Sequence, residues 1–85
     1  MISVKDLKEG MVVYECQDGA NIKMTIMHDA ERTASGWKAT GITDKNTKIN
    51  LYVHNEHRQY GPRLYTEPQY AKHVNGEWVF NNLDV

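Results

Sequence analysis

Lys48-Ile49-Asn50-Leu51-Tyr52-Val53-His54 alternates without a break. Ile49, Leu51 and Val53 fall on one side, and Lys48, Asn50, Tyr52 and His54 on the other. A period of two is the signature of a strand with one face on a core and one face in water. The residue types agree, because β-branched and aromatic side chains pack well on a pleated surface. Turn chemistry bounds the stretch on both sides. Asp44-Lys45-Asn46-Thr47 precedes it, and Gly61-Pro62 follows a few residues later.

Upstream the same period recurs. Trp37 to Thr43 reads as a strand with Trp37 and Ala39 on one face, and Glu31–Gly36 reads as a polar connection. Before that, Ile22, Met24, Ile26 and His28 alternate with Lys23, Thr25, Met27 and Asp29. The earliest strand runs from Met11 to about Glu15 and closes in Gln17-Asp18-Gly19. Ser3 and Asp6 have the spacing of a capping box, so one helical turn is expected at the start. Gly10 then suits a positive φ that stops the turn.

Downstream, Leu64-Tyr65-Thr66 gives a short strand. Two readings remain for Glu67–Val74. Thr66, Gln69 and Pro68 suit the first turn of a helix. Alternatively, Asn75-Gly76 makes a type I′ hairpin between Tyr70–Val74 and Glu77–Asn81, with His73 opposite Trp78 and Ala71 opposite Phe80. The hairpin is preferred. Pro68 then marks a strand start, where a missing N–H costs little.

Five or six short strands at roughly ten-residue spacing predict a mostly β domain. Its form would be a small antiparallel barrel or bent sheet, with at most one or two helical turns. The opening Leu7-Lys8-Glu9-Gly10-Met11-Val12-Val13-Tyr14 resembles the entry to an SH3-like barrel. Ile22, Met24 and Ile26 with Ile49, Leu51 and Val53 form the expected core, joined by Trp37 and Trp78.

With 85 residues, 40% of them hydrophobic and 25% charged, the chain fits one ordinary globular domain. No apolar run reaches the roughly 20 residues of a membrane span. The N-terminal residues lack the pattern of a secretory leader, so none is expected. The net charge of −1, with both signs interspersed, argues against binding duplex DNA through its backbone. Cys16 is the only cysteine. It cannot form an internal disulfide, which suits a reducing, cytoplasmic location. A buried, inert thiol is expected, because no activating base lies nearby in sequence.

The segment from His54 to Tyr65 holds His54, His57, Arg58, Tyr60, Arg63 and Tyr65 around the Gly61-Pro62 break. Arg58 and Arg63 can each offer a planar fork to a phosphate or carboxylate. Tyr60, Tyr65 and Tyr52 can stack on a base or fill a partner's pocket. These features make the segment the expected ligand-binding surface, rather than a cap of tyrosines covered by arginines. His54 and His57 have an H-x-x-H spacing, with His28 and His73 elsewhere. The pair straddles a strand end and has no Cys partner, so no metal is expected. Asp29, Glu31, Glu56 and Glu67 lie in polar segments and read as surface charge. No nucleophile elbow, phosphate-binding loop or H-E-x-x-H motif occurs, so neither catalysis nor a cofactor is expected.

The expected function is a non-enzymatic binding module for a small anionic, nucleotide-like ligand or an acidic patch on a protein. Alternatives are a small barrel that binds single-stranded nucleic acid and a homo-oligomeric interaction protein that pairs sheet edges. Met27, exposed on its strand, also suits a partner interface. With its small size, lone cysteine and the stretch Tyr60-Gly61-Pro62-Arg63-Leu64-Tyr65-Thr66-Glu67-Pro68-Gln69-Tyr70, the chain resembles the short accessory proteins of tailed bacteriophages. That resemblance implies an inhibitor that occludes a host protein or sequesters a nucleotide signal.

Overall fold

The computed structural model describes residues 2–17, 20–54 and 61–80, with backbone alone at 71–74 and 78–80. Among the described residues eight strands are formed: β1 (Val12–Gln17), β2 (Ala20–Ile26), β3 (Glu31–Arg32), β4 (Gly36–Thr43), β5 (Lys48–His54), β6 (Leu64–Tyr65), β7 (Ala71–Val74) and β8 (Glu77–Phe80). The first six make one antiparallel sheet, and β7 and β8 make a separate hairpin. Among the described residues no helix is long and apolar enough to cross a membrane.

β4 organises the sheet. On one side it pairs along its length with β5, Gly36 opposite His54 through Ile42 opposite Lys48. On the other side β2 takes the Gly41–Thr43 end and β3 takes Trp37 and Lys38. β1 then pairs with β2, and β6 with β1. The lateral order is β5, β4, β2, β1, β6, with β3 continuing the line of β2. The sheet stays open: β5 and β6 are opposite edges. Of the two forms expected, barrel or bent sheet, the closed one is not adopted.

The alternation read from the sequence sets the faces. Val13, Met24, Ile26, Ala39, Leu51, Val53 and Leu64 are buried on the inner face. Val4 and Leu7 complete this core from the N-terminal segment, which lies across it. Ile2 donates its N–H to the Leu64 carbonyl at 2.8 Å, Leu7 accepts from Ala30 at 2.9 Å, and Gly10 donates to Ile26 at 2.8 Å. The segment thus crosses from the β6 edge to the end of β2. Its single 3-10 turn, Val4–Asp6, packs against β4 and β5.

Some expectations need correction. Ser3 makes no side-chain cap, so the turn rests on backbone bonds alone, Asp6 N–H to Ser3 and Leu7 N–H to Val4. Glu31–Arg32 is not plain connection but a short strand. It is held by the Glu31–Lys38 ion pair at 3.7 Å and by Arg32 over the Trp37 ring at 5.6 Å. Cys16 is half-buried rather than buried, because its parity puts it on the outer face. Glu67–Val74 is not helical. The hairpin forms with His73 opposite Trp78 and Ala71 opposite Phe80. Asn75 and Gly76 have φ of 51° and 83°, as a type I′ turn requires.

Candidate functional site

Two residues join Gln17 to its partner Ala20, and that fixes the register of the β1–β2 hairpin. Tyr14 then faces Lys23, and Cys16 faces Asn21. On its other edge β1 meets β6, with Tyr14 opposite Tyr65 and Glu15 opposite Leu64. The Cys16 N–H donates to the Arg63 carbonyl at 3.0 Å, so Arg63 lies beside Cys16. Leu64 and Glu15 point inward, and the alternation sends Tyr65, Tyr14, Lys23 and Arg63 to the outer face. Directly opposed side chains there have Cβ atoms about 5 Å apart, and diagonal neighbours about 7–8 Å. Tyr14 is therefore the centre of a patch with Tyr65 on one side, Lys23 on the other and Arg63 diagonal to it.

Arg63 and Lys23 are exposed, and Tyr14 and Tyr65 are half-buried. Among the described residues the ion pairs are Lys8–Asp29 at 4.0 Å and Lys38–Glu31 at 3.7 Å. Neither Arg63 nor Lys23 has a carboxylate partner there. Beside this patch the chain reverses at Thr66-Glu67 and is clipped by Asn21. The Asn21 side chain accepts the Gln69 N–H at 2.8 Å and donates to the Gln69 carbonyl at 2.6 Å. Gln69 is buried, and its own amide donates to the Glu67 carbonyl at 3.3 Å.

The six residues expected to bind ligand do not form one described cluster. Arg63 and Tyr65 belong to the patch. His54 ends β5 at the opposite edge, opposite Gly36. Measured along the sheet it lies four strand spacings, about 20 Å, and eight residue positions, about 25 Å, from Tyr65. His57, Arg58 and Tyr60 lie outside the described residues. Tyr14 and Lys23 went unread as site residues. Their signal was present, since a two-residue connection at Asp18-Gly19 makes Tyr14 and Lys23 cross-strand partners.

Of the remaining candidates, Asp29 and His28 take structural roles. Asp29 accepts the Glu9 N–H at 2.9 Å. His28 bridges the Asp29 carbonyl at 2.8 Å and the Thr40 hydroxyl at 3.2 Å. Glu67 is exposed, and Glu56 lies outside the described residues. Among the described residues no three His, Cys, Asp or Glu side chains gather where a metal could bind.

Glu15 is the unexpected acid. It shares the parity of Val13, points inward between Ile22 and Leu64, and is 7% exposed. Its Oε1 has no hydrogen-bond partner among the described residues. An unpaired polar atom in such a setting costs stability, and an apolar side chain of similar length does not. Glu15→Met is expected to raise the unfolding free energy by about 1–3 kcal/mol in urea titration. A lower or unchanged midpoint would mean that the carboxylate has a partner in solution.

Comparison with protein-family models finds no match, and comparison with curated proteins and with solved structures finds no significant one.

Proposed function

We propose that the protein is a non-enzymatic binding module for an anionic group, carried by a nucleotide-like ligand or by an acidic protein surface. The reading rests on one observation: Arg63 and Lys23, both exposed and without a carboxylate partner among the described residues, flank the Tyr14–Tyr65 pair on one face. A guanidinium and an ammonium supply charge-assisted hydrogen bonds to phosphate or carboxylate oxygens. The two phenol rings supply an apolar floor with polar rims, well suited to a base or to the stem of an acidic side chain. His57, Arg58 and Tyr60, in the segment that leads to Arg63, would extend recognition rather than form its centre, while His54, at the opposite sheet edge, is too far away to take part. An intracellular inhibitor or sequestering protein of the bacteriophage kind would use such a surface.

The test is an NMR titration with three probes: ATP, a short poly-glutamate peptide and an oligo-thymidylate. Binding of ATP or the peptide is expected to shift the Arg63 side-chain NεH and the Tyr14 and Tyr65 ring signals. The Lys23→Ala/Arg63→Ala double variant is expected to lose about 10–100-fold in affinity with its melting temperature nearly unchanged. If the double variant binds as tightly as the parent, the patch is not the site. Preference for the oligonucleotide, with affinity falling steeply as salt rises, would favour the single-stranded nucleic-acid reading instead.

A further inference from the structure

The two edges of the sheet are treated differently. At the β6 edge, Ile2 bridges to Leu64 and covers the outward backbone. β5 is three times as long as two-residue β6, with a residue to spare, and among the described residues it pairs with β4 alone. The backbone bonds of β4 show which β5 groups are left over. On the β2/β3 side, Thr40 accepts from Met27 N–H and Gly36 accepts from Thr33 N–H, both at 2.8 Å. The even residues of β4 thus turn their backbone groups away from β5. The odd ones, Trp37, Ala39 and Gly41, bond to their partners Val53, Leu51 and Ile49. It follows that Lys48, Asn50 and Tyr52 aim N–H and C=O out of the open edge. Among the described residues none of these three has a backbone partner there.

We propose that this edge pairs with the same edge of a second copy of the chain, antiparallel, about a two-fold axis at Leu51. The sequence of β5 is self-complementary in that register. Around that axis Leu51 meets Leu51 of the second copy, Ile49 meets Val53, and Asn50 meets Tyr52. Parity is preserved, so the apolar row stays on the inner face and the polar row on the outer face. Asn50 and the facing Tyr52 form narrow pairs that exchange both backbone hydrogen bonds. Leu51 sits at a wide pair, where side chains come closest. Tyr52 is 45% exposed, and its hydroxyl hydrogen-bonds to Ser35, next to the start of β4. An isologous contact of this kind closes at two copies. An edge whose Lys48, Asn50 and Tyr52 backbone groups lack partners among the described residues is otherwise a site of uncontrolled pairing.

The discriminating variant is Asn50→Pro. Its N–H faces the open edge, so proline there leaves every bond to β4 intact, as edge strands allow. Sedimentation and light scattering of the parent, up to about 1 mM, are expected to reach twice the 9.8 kDa chain mass. Asn50→Pro is expected to stay at the chain mass with parent-like circular dichroism. Hydrogen exchange of the unmodified protein gives an independent reading. The Asn50 and Tyr52 amides are expected to become protected as concentration rises, while Leu51 is protected throughout. A parent that remains at the chain mass at about 1 mM, or Asn50 and Tyr52 amides indifferent to concentration, would overturn the pairing. So would a folded Asn50→Pro that still doubles its mass.

Discussion

Leu7→Ala will lower the unfolding free energy by about 3–4 kcal/mol, out of the roughly 5–10 kcal/mol expected of a domain this small. Leu7 has no exposed surface. It is one of two buried side chains that the N-terminal segment lays into the sheet, with Val4 the other. The 3-10 turn that presents them lacks a side-chain cap and rests locally on backbone bonds alone. Truncation at Leu7 therefore removes transfer energy, opens a cavity and loosens the anchor that covers β4 and β5 at once. Urea denaturation followed by tryptophan fluorescence measures the effect. A loss below about 1 kcal/mol would mean that the segment contributes little to the core.

Gly36→Ala is the second large effect, at about 3 kcal/mol. A Cβ at this position would overlap the Val53 carbonyl oxygen and come within 3.0 Å of the His54 Cα. Both obstacles are backbone, so relief requires β4 and β5 to part at the Gly36–His54 end of their pairing. Gly41 offers the internal comparison. There the atoms nearest a Cβ belong to the Met24 side chain, whose outer part can turn aside. Gly41→Ala should therefore cost clearly less, about 1 kcal/mol. Equal losses at the two positions would contradict the difference between backbone and side-chain obstruction.

Most strands were legible because alternation is a local signal. Ile49, Leu51 and Val53 point inward as their spacing required, and the Asn75-Gly76 pair fixed a hairpin register to the residue. Glu31–Arg32 was missed for the opposite reason. Two residues carry no period, and what makes them a strand is Lys38 and Trp37 on a neighbour not yet placed. The inward turn of Glu15 could have been read from its parity with Val13, against its chemistry. The outer-face patch around Tyr14 was half legible. Arg63 and Tyr65 stood out by type, and Tyr14 and Lys23 were implied by a two-residue turn. That β6 would dock beside β1, rather than beside the β5 strand it follows, depends on chain topology that no short-range pattern encodes.

The Ile2–Leu64 bridge bears on the order of assembly. β1–β2 and β4–β5 are each joined by a few residues, so either can nucleate early. Joining Ile2 to Leu64 closes a loop of some sixty residues, at an entropic cost of about 3–4 kcal/mol. That cost is most easily met after both ribbons have condensed. The closing stitch of the fold would then be the last event of folding, and the groups beside it, Arg63 and Tyr65, would gain their places only when the rest of the domain is already built.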